Sequence, residues 1–208
     1  MTGLLFDPSK YEKRKAANQL QFEKNYYVIL LKIKSIIDES FQETQKVLAQ
    51  IPPACRDKSL FAMLMSGFIN GYVRQNFPEC TSFDVNGRTL LSKDKKFALY
   101  FKKLNNKKRP DNVKTEYSEM LYHQLTMPGD EKSSVVFVGY TIDETKAAIT
   151  GYYSVCLEGD EILWTTDIST LGNDNSASDA APVVPMLPLA PKKDRVRVVA
   201  KKKKSNEE

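Results

Sequence analysis

Apolar residues recur at helical spacing near the start of the chain and change to a shorter period later on. The first stripe comprises Tyr26, Leu30, Ile33, Ile37, Thr44, Val47 and Ile51. Spacings of three and four residues place such side chains on one face of an α-helix. We therefore predict a long amphipathic helix from residue 9 to about residue 50, either continuous or broken, which ends before Pro52-Pro53.

The start of this helix carries two alternative capping signals. Asp7 followed by Pro8 is typical of an N-cap with proline at the first helical position, and Ser9 with Glu12 forms a capping box. A second apolar stripe consists of Leu60, Phe61, Leu64, Phe68 and Tyr72. It predicts a second helix from about residue 57 to Pro78, and the short Pro turn between the two helices favours an antiparallel helical hairpin.

Short alternating and β-branched runs replace the helical pattern between residues 81 and 170. Asn86-Gly87 is typical of a two-residue hairpin turn, and Gly159-Asp160 of another tight turn. The predicted strands cover residues 97–104, 135–141, 149–157 and 161–166, and a short helix capped by Thr115 covers residues 115–125. This order predicts an α+β domain with a mainly antiparallel sheet.

The hydrophobic rhythm is lost from about residue 171. Four prolines (Pro182, Pro185, Pro188 and Pro191) precede a basic end, and such a composition buries too little apolar surface to offset the entropy of ordering. We therefore predict three segments: a helical hairpin region over 1–80, an α+β sheet domain over 81–170, and a disordered Pro-rich and then basic tail over 171–208.

Composition excludes several classes of protein and site. No apolar run approaches the roughly 20 residues that span a bilayer, so we expect no membrane contact. Cys55, Cys80 and Cys156 form no CxxC pair, which fits a reducing cytoplasm, although the run Lys201–Lys204 would also suit a nucleus in a eukaryote. Phosphate-cradling glycine motifs are absent, and the single histidine excludes a His-rich metal centre. We expect neither a cofactor nor a metal.

Charge is segregated along the predicted sheet domain. Residues 88–114 carry ten Lys or Arg and two acids (+8), whereas residues 115–170 carry two Lys and ten acids (−8). The candidate nucleic-acid-binding residues are Lys102, Lys103, Lys107, Lys108 and Arg109, directly after Tyr100 and Phe101. Cations for phosphate and flat rings for bases are what a nucleic-acid groove uses. The alternative is a solvated basic loop that balances the acidic half of the same domain.

Candidate catalytic residues are few. His123 and Tyr117 lie on the predicted short helix and are the candidates for proton transfer in a metal-free cleavage of RNA. No motif singles out a nucleophile beside them. Asp143, Glu144 and the acids around Gly159 lie beside predicted turns, which favours solvated turn residues over a two-metal site.

Residues of the predicted sheet domain carry a family resemblance. They are Leu99-Tyr100-Phe101-Lys102-Lys103-Leu104, Pro110-Asp111-Asn112-Val113 with Thr115, Gly139-Tyr140, Ile149-Thr150-Gly151-Tyr152-Tyr153 and Trp164. The stretch from about residue 97 to residue 167 resembles proteins of bacterial toxin–antitoxin and phage-defence modules. The resemblance implies a genetic context of antiviral defence and includes no catalytic motif.

These observations favour a non-enzymatic binding protein, the binding or neutralising half of such a module. The stripe of Leu30, Ile33 and Ile37 is predicted to contact a protein partner or a second copy of the chain, as in a coiled coil. The basic strand and loop are predicted to contact DNA or RNA. The alternatives are a metal-free, RNase-like toxin that acts on nucleic acid and a protein–protein scaffold without nucleic-acid contact.

Overall fold

The computed structural model describes residues 9, 11–57, 59–111, 115–126 and 132–171. All of them belong to one compact unit within Met1–Asn175. The predicted disordered tail lies outside the described residues except for Leu171, which packs against the core. The predicted cap of Asp7 and Pro8 also lies outside them.

Two helices precede the sheet. Helix α1 spans Gln19–Gln50 as one continuous element of 32 residues, and α2 spans Leu60–Asn76. Ile51 ends α1, and Pro53–Cys55 form one turn of 3-10 helix between the two. Proline lacks the N–H that a continuing helix needs, which explains the break.

The predicted helix start at residue 9 is wrong. Strand β1 (Glu12–Lys13) pairs antiparallel with β5 (Leu125–Thr126), and the Arg14 N–H donates to the Gln124 carbonyl at 2.6 Å. This long-range pairing holds the segment extended, so the capping box at Ser9 goes unused. The helix starts instead after Asn18, whose side-chain oxygen accepts a hydrogen bond from the Gln21 N–H at 3.0 Å.

The described residues form a six-stranded sheet in the order β2-β3-β4-β6-β7-β8. Its strands are β2 (Thr81–Phe83), β3 (Thr89–Leu91), β4 (Phe97–Lys103), β6 (Ser134–Ile142), β7 (Ile149–Glu158) and β8 (Glu161–Asp167). Every neighbouring pair is antiparallel except β4 with β6, which run parallel because helix α3 (Glu116–Tyr122) lies in the connection between them. The predicted α+β class with a mainly antiparallel sheet is confirmed.

The predicted two-residue turn at Asn86-Gly87 is longer than expected. Phe83 pairs with Thr89, so the hairpin loop spans residues 84–88, with Gly87 at a φ of +71°. The carboxylate of Asp84 accepts hydrogen bonds from the Asn86 and Arg88 N–H groups at 2.9 and 2.8 Å. Backbone bonds close the loop as well, because the Gly87 N–H donates to the Asp84 carbonyl at 2.9 Å and the Asp84 N–H donates to the Arg88 carbonyl at 3.0 Å.

Both faces of the sheet are covered. Helices α1 and α2 pack on the face that presents Leu99 and Val138, and α3 packs on the face that presents Tyr100 and Phe137. Alternation of side chains along β4 and β6 supplies both cores. Helices and sheet share the first core, so the segments predicted as 1–80 and 81–170 fold together in one unit.

The stripe predicted to bind a partner is internal. Leu30, Ile33 and Ile37 are fully buried against the sheet and α2. Burial of each such side chain stabilises the fold by about 1.5–3 kcal/mol. The prediction of a partner-binding, coiled-coil face is therefore corrected, because the surface that this stripe covers is the chain's own sheet.

Gly139 permits the parallel pairing of β4 with β6. A Cβ at this position would lie 1.8 Å from the Lys102 carbonyl oxygen, which is backbone and cannot swing aside. The requirement for glycine is therefore steric, and it is imposed by the neighbouring strand.

The side chain of Gln124 links β6 to β7 at the ends where these two strands do not pair with each other. Its side chain is completely buried and donates to the carbonyls of Val135 (2.9 Å) and Leu157 (3.0 Å), while its oxygen accepts from the Val135 N–H at 2.8 Å. The registered pairing of β6 with β7 begins only at Phe137. One amide thus satisfies three backbone groups where the ladder is open.

Replacement of Gly139 by alanine is expected to lower the free energy of unfolding by about 2–4 kcal/mol, because β4 and β6 must separate. Chemical denaturation measures this change. Gly71→Ala is the matched control: nothing lies within 4 Å of a Cβ there, so alanine in α2 should stabilise by up to about 1 kcal/mol. Equal effects of the two variants would contradict the steric assignment.

Replacement of Gln124 by leucine is expected to cost about 3 kcal/mol or more, since it leaves three buried backbone groups without partners. The exposed Gln75 of α2 is the control, and Gln75→Leu should change the free energy of unfolding by less than about 0.5 kcal/mol. A Gln124→Leu variant as stable as the wild type would show that Gln124 is dispensable to the sheet.

Candidate anion-binding site

The predicted basic segment does not form one continuous surface. Successive side chains of a strand point to opposite faces, so Lys102 and Lys103 separate at the end of β4. The chain then folds into a tight loop, in which the Asn105 side-chain oxygen accepts from the N–H groups of Lys107 and Arg109. The loop closes where Leu104 bridges Pro110.

Two cations of this segment are neutralised within the chain. Lys103 forms an ion pair of 2.7 Å with Asp111, and Arg109 forms one of 2.8 Å with Asp160 in the β7–β8 turn. Arg109 also donates to the Gly159 and Asp160 carbonyls at 3.3 and 2.7 Å. Such pairs contribute little to stability at a surface. The acid in each pair nevertheless offsets the charge of the cation, which then attracts an anionic ligand less strongly.

The remaining loop lysines differ from each other. Lys108 has a φ of +59°, and its ammonium lies 4.4 Å from the centre of the Tyr153 ring. Lys107 is exposed at the loop tip. The loop thus matches in part the alternative of a basic segment balanced by the acidic half of the same domain, because Arg109 pairs with that half and Lys103 pairs with Asp111 of the basic half.

Lys102 belongs to a different surface. It lines a cavity of about 400 Å³ together with Arg74 of α2 and Arg88 of the β2–β3 loop. The cavity lies at the open edge of β4, since the registered pairing of β3 with β4 is limited to Leu91 and Leu99. We name Arg74, Arg88 and Lys102 the basic triad.

The basic triad lacks acidic partners among the residues that the structure describes. None of its three side chains takes part in an ion pair there. Each arginine rests instead on a ring: the Arg74 guanidinium is 5.8 Å from the centre of Phe83, and that of Arg88 is 4.6 Å from the centre of Tyr117. These cation–π contacts orient the guanidinium groups and leave their charge uncompensated.

The environment of Lys102 is electrostatically unfavourable for its charge. Burial lowers the pKa of Lys102, and the Arg88 cation lowers it further, whereas Asp84 opposes both effects. Asp84 is itself buried, and its carboxylate already accepts hydrogen bonds from the Asn86, Arg88 and Tyr117 groups. The positive charge of the triad therefore exceeds the negative charge close to it.

Tyr117, a predicted catalytic candidate, is hydrogen-bonded to Asp84 beside the basic triad. Its hydroxyl donates to Asp84 at 2.6 Å and lies 3.4 Å from that of Tyr100. Burial raises the pKa of Tyr117, and the bonds to Asp84 and Tyr100 raise it further. The phenol therefore stays protonated at neutral pH and holds the Asp84 carboxylate in place.

His123, the other predicted catalytic candidate, lies at the opposite end of α3. It caps the helix 3.9 Å from Glu119, and Gly159 approaches its ring so closely that a Cβ there would lie 2.7 Å from Cε1. The Gly159 N–H bonds to the Tyr122 carbonyl at 2.9 Å. The two candidates are not brought together, and His123 packs against the β7–β8 turn.

Sequence reasoning missed Arg74, Arg88 and Phe83 of this cavity. Ser66, Asn70 and Arg74 recur every four residues on α2 and line the cavity, so they form a polar stripe next to the apolar one. This spacing was a usable signal. No sequence signal pointed to Phe83, because a phenylalanine in a short strand is more often a core residue than a surface residue.

Other kinds of site find no support in the part of the chain that the structure describes. Its residues include no cluster of His, Cys, Asp or Glu that could hold a metal ion, and its three cysteines are free. Within the same residues, neither long helix is apolar enough over its length to cross a lipid bilayer.

Comparison of the chain with models of known families, with curated proteins and with solved structures finds no match. Function is therefore inferred from the geometry and charge of the site itself.

Proposed function

We propose that this chain is a non-enzymatic nucleic-acid-binding protein whose basic triad of Arg74, Arg88 and Lys102 holds backbone phosphates. The observation that carries the proposal is the convergence of three cations on one cavity without acidic partners among the described residues. The expected surface of DNA or RNA contact thereby moves from the Lys103–Arg109 loop to the edge of β4.

The chemistry of the triad favours a phosphate ligand. Like charges held together repel one another, and an anion between them turns this repulsion into attraction. A guanidinium is planar and presents a fork of donors that matches two phosphate oxygens, while an ammonium acts as a point charge. Two arginines and one lysine therefore suit an ester of phosphate better than a single carboxylate.

Two arrangements favour binding over cleavage. The Tyr117 hydroxyl is engaged with Asp84 under the cavity, and His123 lies at the other end of α3. General acid–base catalysis needs a donor and an acceptor within hydrogen-bond reach of the reacting atoms. Membership of a toxin–antitoxin or phage-defence module, and the role of binding half within it, stay predictions.

The direct test removes the triad and measures affinity. The variant Arg74→Gln/Arg88→Gln/Lys102→Gln should bind labelled single-stranded RNA and DNA at least about tenfold more weakly, by fluorescence anisotropy at about 50 mM salt. Each lost phosphate contact should also reduce the slope of log K against log salt by about 0.7, so by about 2 for the triple variant.

The matched control removes equal charge elsewhere. Lys103→Gln/Lys107→Gln/Arg109→Gln lies in the loop where Lys103 and Arg109 are already paired with acids, and it should retain most of the affinity and most of the salt dependence. Thermal melting of each variant checks folding. Equal losses in the two triple variants, or a wild type that binds neither nucleic acid, would refute the proposal.

A further inference from the structure

We infer that the cavity accepts a single strand of nucleic acid, with one base stacked on the ring of Phe83 and the adjoining phosphates held by the basic triad. This inference rests on the proposed function and narrows its ligand from nucleic acid in general to an unpaired strand.

Phe83 presents an exposed ring at a cavity otherwise lined largely by polar groups. The residue is 58% exposed although it is a large apolar side chain, and it lines the same cavity as the triad. Exposed aromatic rings flanked by cations are the usual components of single-strand binding surfaces, since every base has a flat face that stacks on them.

The backbone that carries the Phe83 ring is fixed before any ligand arrives. Phe83 pairs with Thr89 in the β2–β3 hairpin, and the Asp84 carboxylate closes the loop that follows. The Arg74 guanidinium 5.8 Å from the ring centre further restricts it. Because this backbone is already fixed, only the side-chain torsions of Phe83 remain to be ordered when a base stacks on the ring, and the entropic cost of binding is reduced accordingly.

The location of the ring selects against a duplex. Bases of a double helix are stacked on one another, and a ring reaches them only after one is extruded, which costs a few kcal/mol. A ring beside the cations that hold phosphates therefore contacts a base only when the strand is unpaired. An acidic peptide would use the triad alone and would gain nothing from Phe83.

The test measures the contribution of the bases to affinity separately from that of the phosphate backbone of the nucleic acid. The probes are oligo-dT and oligo-U of about ten residues and an abasic phosphodiester of the same length, all measured by anisotropy. Wild type should bind each base-bearing probe about tenfold more tightly than the abasic one. The Phe83→Leu variant should lose this preference and keep its affinity for the abasic probe within about twofold.

Two matched variants and two competitors complete the design. Phe83→Tyr keeps a ring and should keep the preference, and so should Val85→Ala, which trims a side chain 51% exposed on the same hairpin loop. A duplex of equal length should compete no better than the abasic probe.

The outcomes distinguish this inference from the proposed function. Binding of the abasic and base-bearing probes with equal affinity would overturn the stacking of a base and leave phosphate binding standing. Poly-glutamate competing as well as oligo-dT would overturn the stacking in favour of an acidic peptide. A wild type that binds none of the nucleic-acid probes at low salt would overturn both.

Discussion

The parallel pairing of β4 with β6 is the constraint on which the rest of the structure depends. It joins the β2–β3–β4 half of the sheet to the β6–β7–β8 meander, and its side chains enter both cores. The pairing requires glycine at position 139, because the Lys102 carbonyl occupies the space of a Cβ. It also fixes which edge of β4 remains open. With β6 on one side and only a short β3 on the other, the end of β4 faces the cavity that holds the basic triad.

Asp84 connects this framework to the candidate site. Its carboxylate closes the β2–β3 loop and accepts the Tyr117 hydroxyl of α3, so it ties the hairpin to the layer on the other side of the sheet. Phe83 directly precedes that loop and Arg88 is its last residue, so closure of the loop fixes the positions of both. The buried Asp84 carboxylate attracts Lys102 and offsets part of the positive charge near it. One negative charge does not balance the three cations of the triad.

Local patterns predicted most elements of the fold because their causes are local. Period and β-branching indicated the meander of β6 to β8, and the Thr115 cap indicated the start of α3. The errors have long-range causes. Helix α1 starts after Asn18 because β1 pairs with a strand more than a hundred residues away, and the stripe of Leu30 is buried because the sheet lies against it. The surroundings of the candidate site residues also have long-range causes: Arg109 meets Asp160 across 51 residues, and Arg74 and Lys102 line one cavity only because α2 packs beside β4.

The opposite net charges of residues 88–114 and residues 115–170 do not form two charged poles in the folded protein. In the sequence they suggest two poles, one of which attracts an anion. In the fold, Arg109 of the basic half pairs with Asp160 of the acidic half, whereas Lys103 pairs with Asp111 of its own half. The charge that a ligand meets therefore differs from place to place on the surface. A field that steers a ligand depends on local excess and not on totals. That excess survives where the strand edge, the hairpin and α2 bring together cations whose neighbours in sequence are not acidic. The proposed affinity for an anion therefore depends on the topology that leaves Arg74, Arg88 and Lys102 without an ion pair within the described residues.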